Sequence, residues 1–190
     1  ITAMGYGGLF WVDGITCILA TLLLIRVLNP RKAKAIDEIT IKNPVSVYKD
    51  KPFWIFFAAM TIFGIIFLQY FSTIPLYYKD IHSLTEFEIG VLLGLNGFFI
   101  FLLEMPLIKW LESTKYSKIG LTLIGLFLTI LSFYALNISS WTGILIVGML
   151  FMTIGEMIAF PFSNAFAMDR AKKGKQGEYL SMYVMSFSIA

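Results

Sequence analysis

The sequence predicts an all-α membrane protein, a polytopic bundle of transmembrane helices. Three observations predict it. Apolar runs of about 20 residues alternate with short polar connectors, and the basic residues crowd into every second connector. The 190 residues are also 58% hydrophobic and only 14% charged, where soluble domains run at roughly 45–50% and about 25%. A bilayer core of ~30 Å takes about 20 apolar residues in a helix. A helix also satisfies its own backbone polar groups, which lipid cannot do. Strands of a membrane β-barrel alternate over ~10 residues; these runs are apolar all round.

In chain order the expected spans are 7–28, 53–77, 89–111, 119–136 and 141–168, with a partial sixth from 180 onward. Lys and Arg accumulate on the cytoplasmic side of membranes. The connector 29–52 holds six of them, 112–118 holds two (Lys115 and Lys118) and 169–179 holds four, against Lys79 alone in the intervening connectors. The first span is therefore expected to run inward, and each later one reverses direction. The loops 29–52, 112–118 and 169–179 are expected to be cytoplasmic. Trp54, Trp110 and Trp141 fall at span ends, Trp11 one turn inside, and Tyr77 and Tyr78 close the second span, as interfacial anchors would. Basic residues spread over three loops with no binding motif argue against nucleic acid as a partner.

The connector 29–52 is the one organisational break. It is long, mixed in charge and punctuated by Pro30 and Pro44, and 33–41 is expected to form a short surface helix. Pro52 opens the next span, where its missing N–H does little harm. The economical division makes 1–28 the last helix of a first bundle and 29–52 a cytoplasmic linker. Residues 53–190 are then an incomplete second bundle, and the chain is expected to be part of a longer one.

Charge at membrane depth costs at least a few kcal/mol and usually faces a bundle interior or water-filled cavity. Asp13 lies ~9 Å into the first span at 1.5 Å per residue, where capping or pairing is the expected role. Glu104 and Glu156 lie 15 residues into their spans, ~22 Å deep, a shared level that permits a common polar pocket. Glu156 stands in Gly-Glu-Met-Ile-Ala-Phe-Pro. Pro161 removes a hydrogen bond to the carbonyl of residue 157 and favours a kink. Ser163, seven residues on, shares the Glu156 face. That combination suits a helix lining a proton or substrate pathway; a structural glutamate, protonated or bonded to a neighbouring helix, is the alternative. Glu104 beside Pro106 and Lys109 reads more readily as helix packing. Gln69 and Thr73 share a face of the second span, and Asn96 lies at a depth close to that of Gln69. They either line the outer part of a cavity or bond between helices. Gly90 and Gly94 form a GxxxG, which marks close helix contact.

No catalytic spacing and no phosphate-binding glycine loop is present, so no enzyme and no cofactor are expected. His82 has no second His or Cys at ligand spacing, so no metal is expected. Cys17 is the only cysteine, which rules out a disulfide within these residues.

Five segments carry a family resemblance: Gly8-Leu-Phe-Trp-Val-Asp13, Ser72-Thr-Ile-Pro-Leu-Tyr77, Ile89-Gly-Val-Leu-Leu-Gly-Leu-Asn96-Gly97, Leu103-Glu-Met-Pro-Leu107 and Thr153-Ile-Gly-Glu-Met-Ile-Ala-Phe-Pro161. Gly177-Glu-Tyr-Leu-Ser-Met-Tyr183 adds a sixth, with Gln176 where the family usually has arginine. In order and spacing the chain resembles the central and C-terminal part of a major facilitator superfamily transporter, near the drug:proton antiporter-like group. The resemblance implies helices six to eleven of twelve. It also implies a cavity lined by the second and fifth spans and flanked by the third and sixth. Gln69, Glu156, Asn96 and Glu104 then move toward that cavity and Asp13 away from it. The family's cytoplasmic loop pattern survives here only as Glu112 and trailing basic residues, so a latch role for Glu112 is weakly supported.

The expected function is secondary active transport of a small solute by alternating access. Proton coupling and export of organic compounds are favoured; nutrient import is the main alternative. A non-transporting sensor or a membrane-embedded enzyme is further off. The expected partners are a small-molecule substrate, protons, the lipid bilayer and the N-terminal bundle that this chain lacks. The expected location is the plasma (inner) membrane.

Overall fold

The computed structural model describes residues 5–27, 46–138, 141–171 and 175–190. The expected surface helix at 33–41 lies outside them. The chain divides into two compact units, Ile1–Ile41 and Lys42–Ala190.

Among the described residues the first unit contributes one helix, α1, Gly5–Val27. Its stretch Phe10–Val27 has a mean hydropathy of 1.9, enough to cross a bilayer. Asp13 is exposed on it. Thr16 and Thr21 donate their hydroxyls to the carbonyls of Asp13 and Cys17, which keeps both inside the helix's own bonding.

Among the described residues the second unit holds five α-helices: α2 Lys51–His82, α3 Glu86–Glu112, α4 Lys118–Ile138, α5 Gly143–Arg170 and α6 Gln176–Ile189. With α1, five of the six are long and apolar enough to span a membrane. All six expected spans are therefore present as helices, most of them extended by one to five residues at an end.

The helix boundaries have local causes. Asp50 caps α2 by accepting from the Phe53 N–H, and Pro52 sits in the first turn where no donor is needed. At the far end Ser83 takes a left-handed conformation with φ 53°, and the N–H groups of Ser83 and Leu84 both return to the Tyr78 carbonyl. Thr85 and Glu88 then form a capping box that starts α3. The connector expected over 78–88 shrinks to residues 83–85. His82 ends α2 instead of lying in a loop, and its Nε2 is 3.4 Å from the Tyr77 hydroxyl.

That extension changes the reading of the two tyrosines. Tyr78 is 1% exposed and packs inside the bundle, while Tyr77 donates to the Leu136 carbonyl at 2.7 Å. Ile74 and Tyr78 lie on the bundle-facing row of α2, so Tyr78 is a core residue and Tyr77 a tie to α4. Trp54, Trp110 and Trp141 do lie exposed near helix ends.

Helix α5 is the centre of the unit and packs on α3, α4 and α6. Its partner α4 is antiparallel to it, and the two backbones touch. A Cβ on Gly125 would lie 2.7 Å from the Gly155 carbonyl oxygen, and one on Gly155 would lie 2.9 Å from that of Gly125. Further along, Ser132 donates to the Gly148 carbonyl at 2.7 Å. Gly90 and Gly94, expected at a close helix contact, have open space beside them. The small residues that bring helix backbones together are those of α4 and α5, and Gly64 of α2 makes room for Phe187 and Ala190 at the end of α6.

Helix α2 runs parallel to α6. Phe53 meets Tyr179, Phe56 meets Tyr183 and Phe63 meets Phe187. Phe160 of α5 joins this stack, 4.8 Å from Phe67 and 5.3 Å from Phe187. Helix α5 is antiparallel to α6, with Ser163 opposite Tyr183 and Arg170 near Tyr179. These relative directions agree with the alternation read from the basic connectors. Most outward residues of α2–α5 are large and apolar, as lipid-facing surfaces require.

Candidate functional site

The candidate site is built on α5, where Gly155 and Glu156 follow Thr153. Glu156 is 7% exposed. The close α4–α5 contact at Gly125 and Gly155 holds this part of α5 and turns Glu156 toward the other helices. Asn96 of α3, 4% exposed, accepts from the Thr153 hydroxyl at 2.5 Å. The Asn96 side chain also reaches the Glu156 carboxyl. One carboxyl oxygen of Glu156, Oε1, is buried with no hydrogen-bond partner.

Two other groups act on this carboxyl. Glu104, half-buried on α3, is close enough for its charge to be felt at Glu156, and Tyr70 of α2 feels the charge of Glu156 in turn. Tyr70 is 1% exposed. The Tyr78 hydroxyl lies beside that of Tyr70 without a well-formed hydrogen bond. A buried carboxyl with an unmet acceptor, next to a second acid, is a costly arrangement in low dielectric. Such costs concentrate at functional sites.

Of the residues singled out in the sequence, Glu156, Asn96 and Glu104 are gathered here. Ser163 is fully buried, but its hydroxyl donates to the Phe160 carbonyl at 3.0 Å and lies 2.8 Å from the Tyr183 hydroxyl. It ties α5 to α6. Gln69 and Thr73 are exposed on α2, on the face turned away from Tyr70, Ile74 and Tyr78. They are not gathered with Asn96. Pro161 stands within α5, which continues through it from Gly143 to Arg170. Glu112 is the exposed last residue of α3.

Thr153 and Tyr70 were not singled out, and Tyr78 was expected only as an interfacial anchor. Thr153 had a visible signal, because it lies three residues before Glu156 on the same helical face. The two tyrosines had none, since a helix apolar on every side does not show which face is buried.

A second polar cluster lies at the other end of the bundle. Asp50 accepts from Arg170 Nε at 2.7 Å and Nη2 at 2.8 Å, and from the Tyr179 hydroxyl at 2.9 Å. The Arg170 bonds hold the Asp50 carboxyl below its usual value against the opposing effect of burial, with help from Tyr179. Glu178 receives the Ser46 hydroxyl at 2.5 Å and the Val47 N–H at 3.2 Å, and pairs with Lys175 at 2.7 Å. Arg170 and Lys175 entered the sequence reading only as charges that set topology. Arg170 also ties Asp50 to the end of α5, while Glu178 and Tyr179 tie residues 46–50 to the start of α6 and Lys175 pairs with Glu178.

Among the described residues no group of three or more His, Cys, Asp or Glu is placed to hold a metal ion.

The family model described as Major Facilitator Superfamily matches residues 1–190. The chain belongs to the Major Facilitator Superfamily. It is an integral membrane protein of that superfamily, with five helices long and apolar enough to cross a bilayer. Two curated relatives are similar to it. One, from Planococcus maritimus, is named "Na(+), Li(+), K(+)/H(+) antiporter" and is 24% identical over 163 residues, 78% of this chain and 38% of that protein. The other, from Bacillus subtilis (strain 168), is named "Uncharacterized MFS-type transporter YttB" and is 34% identical over 117 residues, 58% of this chain and 28% of that protein. The matched part of this major facilitator chain thus spans under two fifths of either relative's length. No solved structure matches it significantly.

Proposed function

We propose that this chain is part of a secondary transporter that moves a small solute across the membrane by alternating access, in exchange for protons, with Glu156 as the proton-carrying group. The observation that carries this reading is the buried Glu156 carboxyl with its unpartnered Oε1, held among α2, α3 and α5. A carboxyl in that position gains or loses a proton as its surroundings change. Alternating access supplies such a change, because rocking one bundle against another exposes a midplane site to each side in turn.

Membership of the superfamily supports transport over catalysis, and the name of the Planococcus maritimus relative supports exchange for protons. Export of organic compounds is the solute reading the sequence favours. That relative's name favours a second one, exchange of monovalent cations. On this proposal residues 53–190 belong to a C-terminal bundle, 29–52 link it to an N-terminal one, and Gln69 and Thr73 face that partner bundle across the pathway. The loops 29–52, 112–118 and 169–179 face the cytoplasm from the plasma (inner) membrane.

The test is transport in vesicles with and without an imposed pH gradient. Glu156→Gln is expected to abolish gradient-driven flux while leaving the protein folded. Unchanged proton-driven flux in that variant would remove Glu156 from coupling.

A further inference from the structure

Thr153 has one hydroxyl hydrogen and two oxygen neighbours. Its Oγ lies 2.5 Å from Asn96 Oδ1 and 2.7 Å from the Met149 carbonyl oxygen. Its hydrogen bonds either oxygen, and the Met149 carbonyl also accepts the Thr153 N–H within the helix. Residues 149, 153 and 156 follow at spacings of four and three, which places them on one face of α5. On that face lies an unmet acceptor, Oε1 of Glu156, on a side chain more than nine-tenths buried. The Asn96 side chain joins the two, bonded to Thr153 and reaching the Glu156 carboxyl. The cluster therefore presents an amide oxygen, a hydroxyl and a carboxylate.

Hard oxygen donors of this kind suit a small dehydrated cation and offer nothing to a soft metal. The charge count selects the valence. One carboxylate belongs to the cluster directly, and Glu104 acts on it only through space. A monovalent ion leaves the buried cluster neutral, whereas a divalent ion leaves an uncompensated charge at low dielectric.

We propose that Thr153, Glu156 and Asn96 form a binding site for a small monovalent cation of the Na⁺ or Li⁺ class, in which the ion and a proton compete for Glu156. The proposal rests on the reading of Glu156 as the exchanging carboxyl. Protonation removes the only anionic ligand and adds a donor that meets an unpartnered acceptor. Cation entry restores the anionic ligand and releases one proton, so charge is conserved in the exchange. The groups facing Glu156 electrostatically are Glu104 from α3 and Tyr70 from α2.

The test uses the full chain in detergent at pH 8, with NaCl, LiCl, KCl or choline chloride at one ionic strength. Na⁺ or Li⁺ at ten times its Kd is expected to raise Tm by roughly 3–6 °C over choline. Thr153→Val and Glu156→Gln are expected to lose that rise, and Thr153→Ser to keep it because it restores the oxygen. Equal effects of all four salts, or a normal response in Thr153→Val and Glu156→Gln, would overturn the site. So would stabilisation by Mg²⁺ or Ca²⁺ at lower concentration than Na⁺. Proton release on adding NaCl, read with a pH dye in weak buffer, separates the two readings. Cation binding without proton release supports the site and sinks proton exchange at Glu156. Proton-driven flux that depends on Glu156, with no cation-dependent Tm rise, sinks the site and leaves the exchange standing.

Discussion

Gly125 of α4 and Gly155 of α5 meet backbone to backbone, and the residue after Gly155 is Glu156. Within the membrane, apolar side chains gain little by leaving lipid, so close backbone approach supplies packing in its place. The hydroxyl of Thr129 lies 2.9 Å from where a Gly155 Cβ would stand. No larger residue fits without parting the helices. Gly155→Val is expected to lower stability by about 1–3 kcal/mol through overpacking. Gly90→Ala, with open space beside it, is expected to be neutral or to stabilise by up to about 1 kcal/mol. Thermal unfolding in detergent distinguishes them; equal losses would mean that the α4–α5 contact is not as tight as described.

Asn96 and Thr153 are the direct polar tie between α3 and α5. Interhelical hydrogen bonds in membranes are worth ~0.6–2 kcal/mol. Asn96→Leu is expected to cost that much in stability and also to change transport, because it removes a group that reaches Glu156. Ser132→Ala, which removes a comparable bond to the Gly148 carbonyl, is expected to cost a similar amount with transport unchanged. Unfolding and flux measured side by side on both variants check the difference.

The Asp50–Arg170 pair predicts a pH dependence of stability. The folded carboxyl titrates below its ordinary value of 3.8. Its stabilising contribution is therefore full above about pH 4 and is lost as pH falls through the folded value. The wild type is expected to exceed Asp50→Asn by about 1–3 kcal/mol, constant from pH 8 to pH 5, with the gap closing below about pH 4. Arg170→Gln should show a loss of the same order. A gap that changes between pH 8 and pH 5 would point to another titrating group.

The turn between α2 and α3 is the third place where a side chain sets the fold. Thr85→Ala removes half of the capping box and is expected to cost about 0.5–2 kcal/mol. Hydrogen exchange should speed up first at the N–H groups of Glu86, Phe87 and Glu88. Exchange unchanged there would mean that the box does not hold the first turn.

What the sequence by itself determined is what depends on local chemistry. Twenty-residue apolar runs have to be helices in lipid, so the helices were legible within a few residues of their ends, five of them long and apolar enough to span a bilayer. Basic connectors carried the order of directions, and the parallel α2–α6 and antiparallel α4–α5 and α5–α6 packing agree with it. The depth of Glu156 and Glu104 followed from the rise per residue, and depth was enough to suggest that they approach each other. The Thr85–Glu88 capping box went unread, so the span was begun at 89 and the loop drawn longer than it is.

Only the tertiary structure decided which faces meet. In a soluble helix the apolar stripe marks the core, but these helices are apolar on every side, so periodicity says nothing about burial. That is why Gly90 and Gly94 looked like a contact when Gly125 and Gly155 made it. It is also why Gln69 lies exposed while Tyr70, one residue on, is buried, and why Ser163 turned to Tyr183 instead of Glu156. The pairing of Asp50 with Arg170 joins residues 120 apart, a distance no local pattern spans. The chemistry of the candidate site belongs to the same class: its carboxyl was visible in the sequence, and its missing hydrogen-bond partner was visible only once α3 and α5 were side by side.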